Sequence, residues 1–489
     1  MFFTVLPLVY LFVRASDSSF ADFLHTVTQS RSIELLINSV ALVGLVTLSA
    51  TVIGTAQAFI ATKTTLTFAT FIGLGAVLPL AIPSYINAFS WMSISSNFQG
   101  LFAAWFVLTV GTSPYVFLAV TAALLTANSH LEDVARSLGQ SPRIVFTQVL
   151  WPTIRPAVFA SGLVVALYTL SDFGAVSLLR YDTFTRGIFN SYRSSFDRTT
   201  AAQLAILVVA LSVALVWIQQ RSTQHNATTR TVSRRQRMAL STRWNLLSLT
   251  LALWTIVGVG VPVATMIRWT IVGASDADTG QLQRALINTV GYAIAGGLAA
   301  TFFAVAVALV AYRYRTHIGA LLERSMWTAH ALPGIVIALS FVFLANSSVP
   351  TLYQTSVLMV VVYVALFLPN AVSTMELPVA SLPSSLDDVA RSLGSSRLRL
   401  LWSVIIPNLR AAMVASFSLV ALTILKELPA TLLLRPTGIE TLATRLWTAT
   451  SINAFSAAAP YALTLVLLGG IPALLLNRQV RSSLRSERM

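Results

Sequence analysis

The chain has no cysteine, two lysines (Lys63 and Lys426), and charge on only 10% of its 489 residues. The missing cysteine excludes a disulfide scaffold, a thiolate metal site and a cysteine nucleophile. Neither lysine follows a glycine, so the phosphate-cradling G-x-x-x-x-G-K-[ST] loop is absent and nucleotide hydrolysis cannot rest on it. The metalloprotease H-E-x-x-H and the serine-hydrolase G-x-S-x-G are also missing, which argues against an enzyme acting inside the membrane. The five histidines (His25, His130, His225, His317, His330) are scattered and form no cluster with carboxylates, so no metal site is expected. A soluble domain carries about 25% charged residues. At 10%, too little polar surface remains to cover a water-soluble protein of this length.

Apolar residues are present in abundance: 56% hydrophobic, with a mean hydropathy of +0.76. They fall in runs of about 20, the length that crosses a bilayer as a helix. Six runs lie in 1–218 and six in 246–489, separated by the polar stretch Gln219–Asn245. The runs are continuous rather than alternating, which is the pattern of helices and not of a β-barrel. The expected fold is an all-α integral membrane protein of about 12 transmembrane helices.

The two sets of six are related. Residues 132–158, EDVARSLGQSPRIVFTQVLWPTIRPAV, align at an offset of 255 with residues 387–413, DDVARSLGSSRLRLLWSVIIPNLRAAM; twelve of 27 positions are identical, seven of them consecutive. The same offset relates Pro7 to Pro262, Pro114 to Pro369 and Arg180 to Arg435. This is a duplication. The domains are then a first half, 1–218, a basic linker, 219–245, and a second half, 246–489. An even number of crossings starts both copies on the same side, which makes a parallel repeat about an axis along the membrane normal. Pro262 follows about sixteen apolar-rich residues of its helix and Pro7 only six. No basic segment of a signal peptide precedes Pro7, so the first helix is expected to be truncated, its true start lying upstream.

The net charge of +15 has two readings, a nucleic-acid surface or a record of topology. Gln219–Asn245 holds six arginines and no acid. Placing it in the cytoplasm puts 21 of the 32 basic residues and seven of the 17 acidic ones inside, so that side nets +14. Both termini then fall in the cytoplasm. The linker lacks interleaved aromatics, so no nucleic-acid partner is expected; contact with anionic membrane lipid remains open as an addition.

The duplicated 27-residue segment falls on this inner side and is long for a plain connector. Each copy opens on carboxylates that suit a helix N-terminus, Glu132–Asp133 and Asp387–Asp388. Each then runs through Ala135 or Ala390 to a helix-ending glycine, Gly139 or Gly394, and on to Pro152 or Pro407. Such a loop offers an amphipathic rod to a partner's groove.

Asp133-Val-Ala135 … Gly139 … Val149-x-Trp151-Pro152 and Asp388-Val-Ala390 … Gly394 … Val404-x-Ile406-Pro407 resemble the EAA loop of binding-protein-dependent ABC importer permeases, in spacing and with conservative departures except Trp151. The resemblance implies two fused permease halves. It implies that each loop is a coupling helix docking into an ATP-hydrolysing subunit, plausibly two copies, that binds the ATP and Mg. It also implies an extracytoplasmic solute-binding protein, a bacterial inner-membrane location and no cofactor in this chain.

A second repeated pair is SDFGAVSLLR (171–180) and KELPATLLLR (426–435). Asp172, Lys426 and Glu427 are expected about 15 residues into the fifth run of each half, where ionisable groups are costly and mark a translocation path by default; a salt bridge or a hydrogen-bonded bundle contact is the other reading. The stretch Lys426–Trp447 looks like the fused permeases of the ferric-iron importer family, whose relatives carry thiamine, 2-aminoethylphosphonate or polyamines. Ferric iron moved inward by alternating access is the expected function. An ion-coupled secondary transporter also fits two six-span halves, but leaves the paired loops unexplained.

Overall fold

The structure, a computed structural model, describes residues 9, 11–14, 16, 19–127, 129–193, 197–223, 244–273, 278–314, 316–330, 332–383 and 385–486. The expected short helix around Pro7 and most of the basic linker, 224–243, lie outside the described residues. Among those described, every regular element is a helix, and the chain is an all-α integral membrane protein built on two copies of one unit.

Among the described residues eight helices are long and apolar enough to cross a membrane, with shorter apolar helices at Gly334–Ser348 and Phe455–Gly470. Among the described residues the third run of each half is not one continuous span, because prolines interrupt it. In the first half, α3 (Ala69–Gly75) and the following 3-10 turn meet α4 (Ser84–Met92) at a 94° bend. In the second, α13 (His317–His330) and α14 (Gly334–Ser348) are separated at Pro333. Pro83 and Pro333 lack the N–H that would continue the helix and instead precede the first residue of the next one.

The first half is organised around α2 (Ser30–Lys63), which packs along α5 (Gly100–Thr126) and α7 (Trp151–Ser171). The second half repeats this with α12 (Thr279–Ala308) against α15 (Ser356–Ala380) and α17 (Ile406–Leu425). In lipid there is little hydrophobic drive between helices, so close fit decides. Gly54 of α2 shows this: a Cβ there would stand 2.6 Å from Ser113 O and 2.9 Å from Phe117 N of α5. The long helices repeat at an offset of 250, not 255: Ile37-Asn38-Ser39-Val40 answers Ile287-Asn288-Thr289-Val290, and Pro83 answers Pro333. The second half carries five more residues between Pro333 and Pro369 than the first does between Pro83 and Pro114, taken up by the longer α14 (15 residues against 9 in α4), and the offset is 255 from Pro114/Pro369 onward.

The chain forms two compact units, Leu24–Ala277 with Leu446–Met489, and Met1–Phe23 with Asp278–Arg445. Their boundaries cut across the sequence repeat. In the former, α11 (Trp244–Val272) packs on α5 through Trp254 against Phe106, and Gln57 donates to the Thr255 hydroxyl at 3.2 Å. Phe455, which begins α20 (Phe455–Ser486), stacks on Phe89 and Trp269 in the same unit.

Candidate functional sites: the repeated loops and the helix breaks

The first repeated loop forms α6 (Ser129–Ser137), the second α16 (Ser385–Ser392). Carboxylates occupy the first turn of each, where they meet the unpaired N–H groups and the positive end of the helix dipole. Both end in the same way. Gly139 has φ +76° and Gly394 φ +75°, the left-handed conformation that a side chain disfavours. The Gly139 N–H donates to Arg136 O and the Gln140 N–H to Ala135 O; the Gly394 N–H donates to Arg391 O and the Ser395 N–H to Ala390 O. This paired closure satisfies the last carbonyls.

Beyond the glycine, each chain re-enters a long helix through one π turn, Phe146–Leu150 and Leu401–Ile405. The Trp151 N–H reaches back to Phe146 O, and the Ile406 N–H to Leu401 O. The next residue is Pro152 or Pro407, which has no N–H for the carbonyl four residues earlier and would clash with it. Widening the helix by one residue at this point relieves both problems.

The paired carboxylates turn out to be divided. Glu132 is 2% exposed and its Oε1 lies 2.5 Å from Lys63 Nζ at the end of α2; Arg136 stands 3.6 Å from its other oxygen. Asp387 is likewise buried and pairs with Arg313 at the end of the π turn closing α12, while Arg313 also donates to Leu382 O at 3.2 Å. Lys63 and Arg313 are equivalent under the offset of 250. Asp133 is half-buried and Asp388 exposed. Beside them, Val134 and Leu138 in one loop and Val389 and Leu393 in the other stand 55–79% exposed, one helical turn apart. A side chain pair of this size left uncovered on a loop, next to a free carboxylate, is a surface suited to a partner. Ala135 and Ala390 lie on the side facing the rest of the chain.

The second candidate site is a break and not the middle of a span. The helix Arg143–Ser171 ends at Asp172, and α8 (Gly174–Leu178) begins two residues later. Asp172 caps that short helix: its Oδ1 accepts from the N–H groups of Ala175 (3.0 Å) and Val176 (3.3 Å). Its Oδ2 accepts from the Ser84 hydroxyl at 2.5 Å, at the start of α4. In the second half α17 ends before Lys426, and Glu427 caps α18 (Pro429–Leu434) through the Ala430 N–H at 3.1 Å. Ser84 is replaced by Gly334, and the longer glutamate fills the space: a Cβ on Gly334 would lie 3.4 Å from Glu427 Oε1. Each carboxylate thus stands beside the starts of two helices. Glu427 also lines a small cavity with Tyr363 and Thr431, whose hydroxyls are 2.7 Å apart. Among the described residues no group of three or more His, Asp or Glu could hold a metal ion.

Comparison with known proteins bears on both sites. The family model described as "Binding-protein-dependent transport system inner membrane component" matches residues 50–226 and 296–485, once in each half. The chain is 32% identical to the Fe(3+)-transport system permease protein FbpB 2 of Haemophilus influenzae, over 97% of this chain and 95% of that one. It is 23% identical to the ferric transport system permease protein FbpB of Actinobacillus pleuropneumoniae, over 85% and 67%. It is 24% identical to the molybdate/tungstate transport system permease protein WtpB of Thermococcus kodakarensis, over 29% and 61%.

Proposed function

The chain belongs to the binding-protein-dependent transport system inner membrane components, and from that membership we propose that it is the permease of an ATP-driven importer of ferric iron. The observation that carries the substrate is the full-length similarity to a Fe(3+)-transport permease, which spans both repeats and the segment between them.

In this reading each apolar loop face, Val134 with Leu138 and Val389 with Leu393, seats in a separate ATPase subunit, one copy per loop. That subunit binds the ATP and Mg. Asp133 and Asp388 are the carboxylates that face it; Ala135, Ala390, Gly139, Gly394, Pro152 and Pro407 set the shape of the loop; Glu132 and Asp387 hold the loop to the permease. An extracytoplasmic binding protein delivers iron to the outer segments 180–198 and 435–453. Closure of the ATPases draws the loops together, the two halves open outward, and hydrolysis resets them. Both termini and the basic linker face the cytoplasm, where the linker's arginines lie beside anionic lipid. Asp172, Lys426 and Glu427 border the path of the ion.

The test is uptake of iron by proteoliposomes holding the chain, its ATPase and an iron-loaded binding protein. ATP-dependent uptake is expected, with thiamine, 2-aminoethylphosphonate and polyamine left outside; uptake of one of these in place of iron would reassign the substrate. Asp172→Asn and Glu427→Gln should lower uptake while leaving assembly with the ATPase intact, and unchanged uptake in both removes these residues from the path.

A further inference from the structure

Helices α2 and α12 are each fastened at two points, by the same chemistry in both halves. At the inner end stands the buried ion pair of the loop, Lys63 with Glu132 or Arg313 with Asp387. About ten residues in from the opposite end, a buried hydroxyl accepts the first N–H of an outer helix. Ser39 Oγ takes the N–H of Phe184, which opens α9 (Phe184–Arg193), at 3.0 Å. Thr289 Oγ1 takes the N–H of Leu442, which opens α19 (Leu442–Ser451), at 2.8 Å. The two fasteners are 24 residues apart in each half, Ser39 to Lys63 and Thr289 to Arg313. That is about 36 Å of helix, more than the hydrocarbon thickness of a bilayer.

The residues they grip come from parts of the chain with three different offsets: 250 for the long helix, 255 for the loop and 258 for the outer helix. Two insertions have therefore shifted the sequence without shifting either fastening. A first-turn N–H of a helix has no partner within its own helix, so the hydroxyl from α2 or α12 supplies one to α9 or α19. At the inner end, a buried acid without its cation would be costly, so the ion pair ties the loop to the long helix.

We propose that α2 and α12 are struts that carry the docking of the binding protein to the ATPase-facing loop of the same half, with Ser39, Thr289, Lys63, Glu132, Arg313 and Asp387 as positioning residues. The proposal rests on the importer reading above. The strut adds a through-membrane link inside each half to the movement of one half against the other.

The experiment uses the chain with its ATPase in lipid nanodiscs, and reads ATP hydrolysis with and without iron-loaded binding protein. Ser39→Ala and Thr289→Val should keep the unstimulated rate and lower the stimulation by the binding protein about threefold to tenfold, the worth of one buried hydrogen bond. Ser39→Thr and Thr289→Ser, which exchange the hydroxyls that the two halves already use, should restore it. At the inner end Glu132→Gln should lower stimulation, and the exchange Lys63→Glu with Glu132→Lys should recover part of it. Wild-type stimulation in Ser39→Ala and Thr289→Val, or a loss that Ser39→Thr does not repair, overturns the strut and leaves the importer reading standing. A wild-type complex with neither stimulation nor iron uptake overturns the importer reading, and the strut with it.

Discussion

At the scale of single residues, two adjacent acids of one loop do different work. Glu132 is buried against Lys63 and Arg136, whereas Asp133 is half-buried beside exposed Val134. Removing one partner of a buried pair leaves a charge in an apolar setting, so Glu132→Ala should cost about 3 kcal/mol of stability. Asp133→Ala, a change at a half-buried side chain outside that ion pair, should cost about 1 kcal/mol yet weaken association with the ATPase. Thermal unfolding in detergent, paired with co-purification of the ATPase, separates the two; equal destabilisation by both would contradict the division. The sequence shows Glu132–Asp133 and Asp387–Asp388 as equal candidates, because the partners that divide them, Lys63 and Arg313, are about 70 residues away along the chain. The i, i+4 spacing of Glu132 and Arg136 was the one local hint. Likewise Asp172 and Glu427 are legible as buried acids at equivalent positions, while the trade of Ser84 for Gly334 that accompanies the longer side chain is visible only once the short helices meet.

At the scale of elements, helix ends were readable where one residue type dictates the backbone. Gly139 and Gly394 end their helices in the left-handed conformation and have no neighbour within 4 Å of an added Cβ, so conformation and not space is what a substitution would offend. Gly139→Val and Gly394→Val should each cost about 1–2 kcal/mol locally and uncouple hydrolysis from uptake, and the milder Gly139→Asp and Gly394→Asp should do so in part. The measure is iron moved per ATP hydrolysed; wild-type ratios in both valine variants would remove the loops from the coupling role. Proline gave a weaker signal. Pro152 and Pro407 were expected to lead into the next helix, and they do, but the π turn before each was not foreseen, since periodicity does not reveal a single wide turn. Apolar runs are broken at Pro83, Pro333, Asp172 and Lys426, and hydropathy does not show it, because it measures burial and is silent about a chain that turns while still buried. Close packing is the other feature that escapes pattern reading. Gly54→Leu should prevent α2 from lying against the backbone of α5, and expression with the folded fraction by size-exclusion chromatography should fall steeply.

At the scale of the whole molecule, charge and repeat carry most of the legible content. The +14 assigned to one side orients every loop at once, and it predicts that the linker is reached from the cytoplasm alone. The absence of cysteine makes the test direct. Single cysteines at Arg230 and Arg193 should react with a membrane-impermeant maleimide on opposite sides of the membrane: the former only in inside-out vesicles, the latter in intact spheroplasts. Reversed labelling would invert the topology and move both loops away from ATP.

The sequence by itself determined the class, the duplication, the paired loops and their carboxylates, because each depends on residue type at fixed spacing along one chain. The tertiary structure decided which carboxylates turn inward, where the buried acids stand relative to the helix breaks, and which helices share a compact unit. It drew α11 and the helix from Phe455 into one unit with the first half. The physical reason is the same in each case: in an apolar medium a helix has no hydrophobic preference for its neighbours in sequence, so partners are chosen by close fit and by pairing of buried polar groups. Both are properties of surfaces brought together from distant parts of the chain.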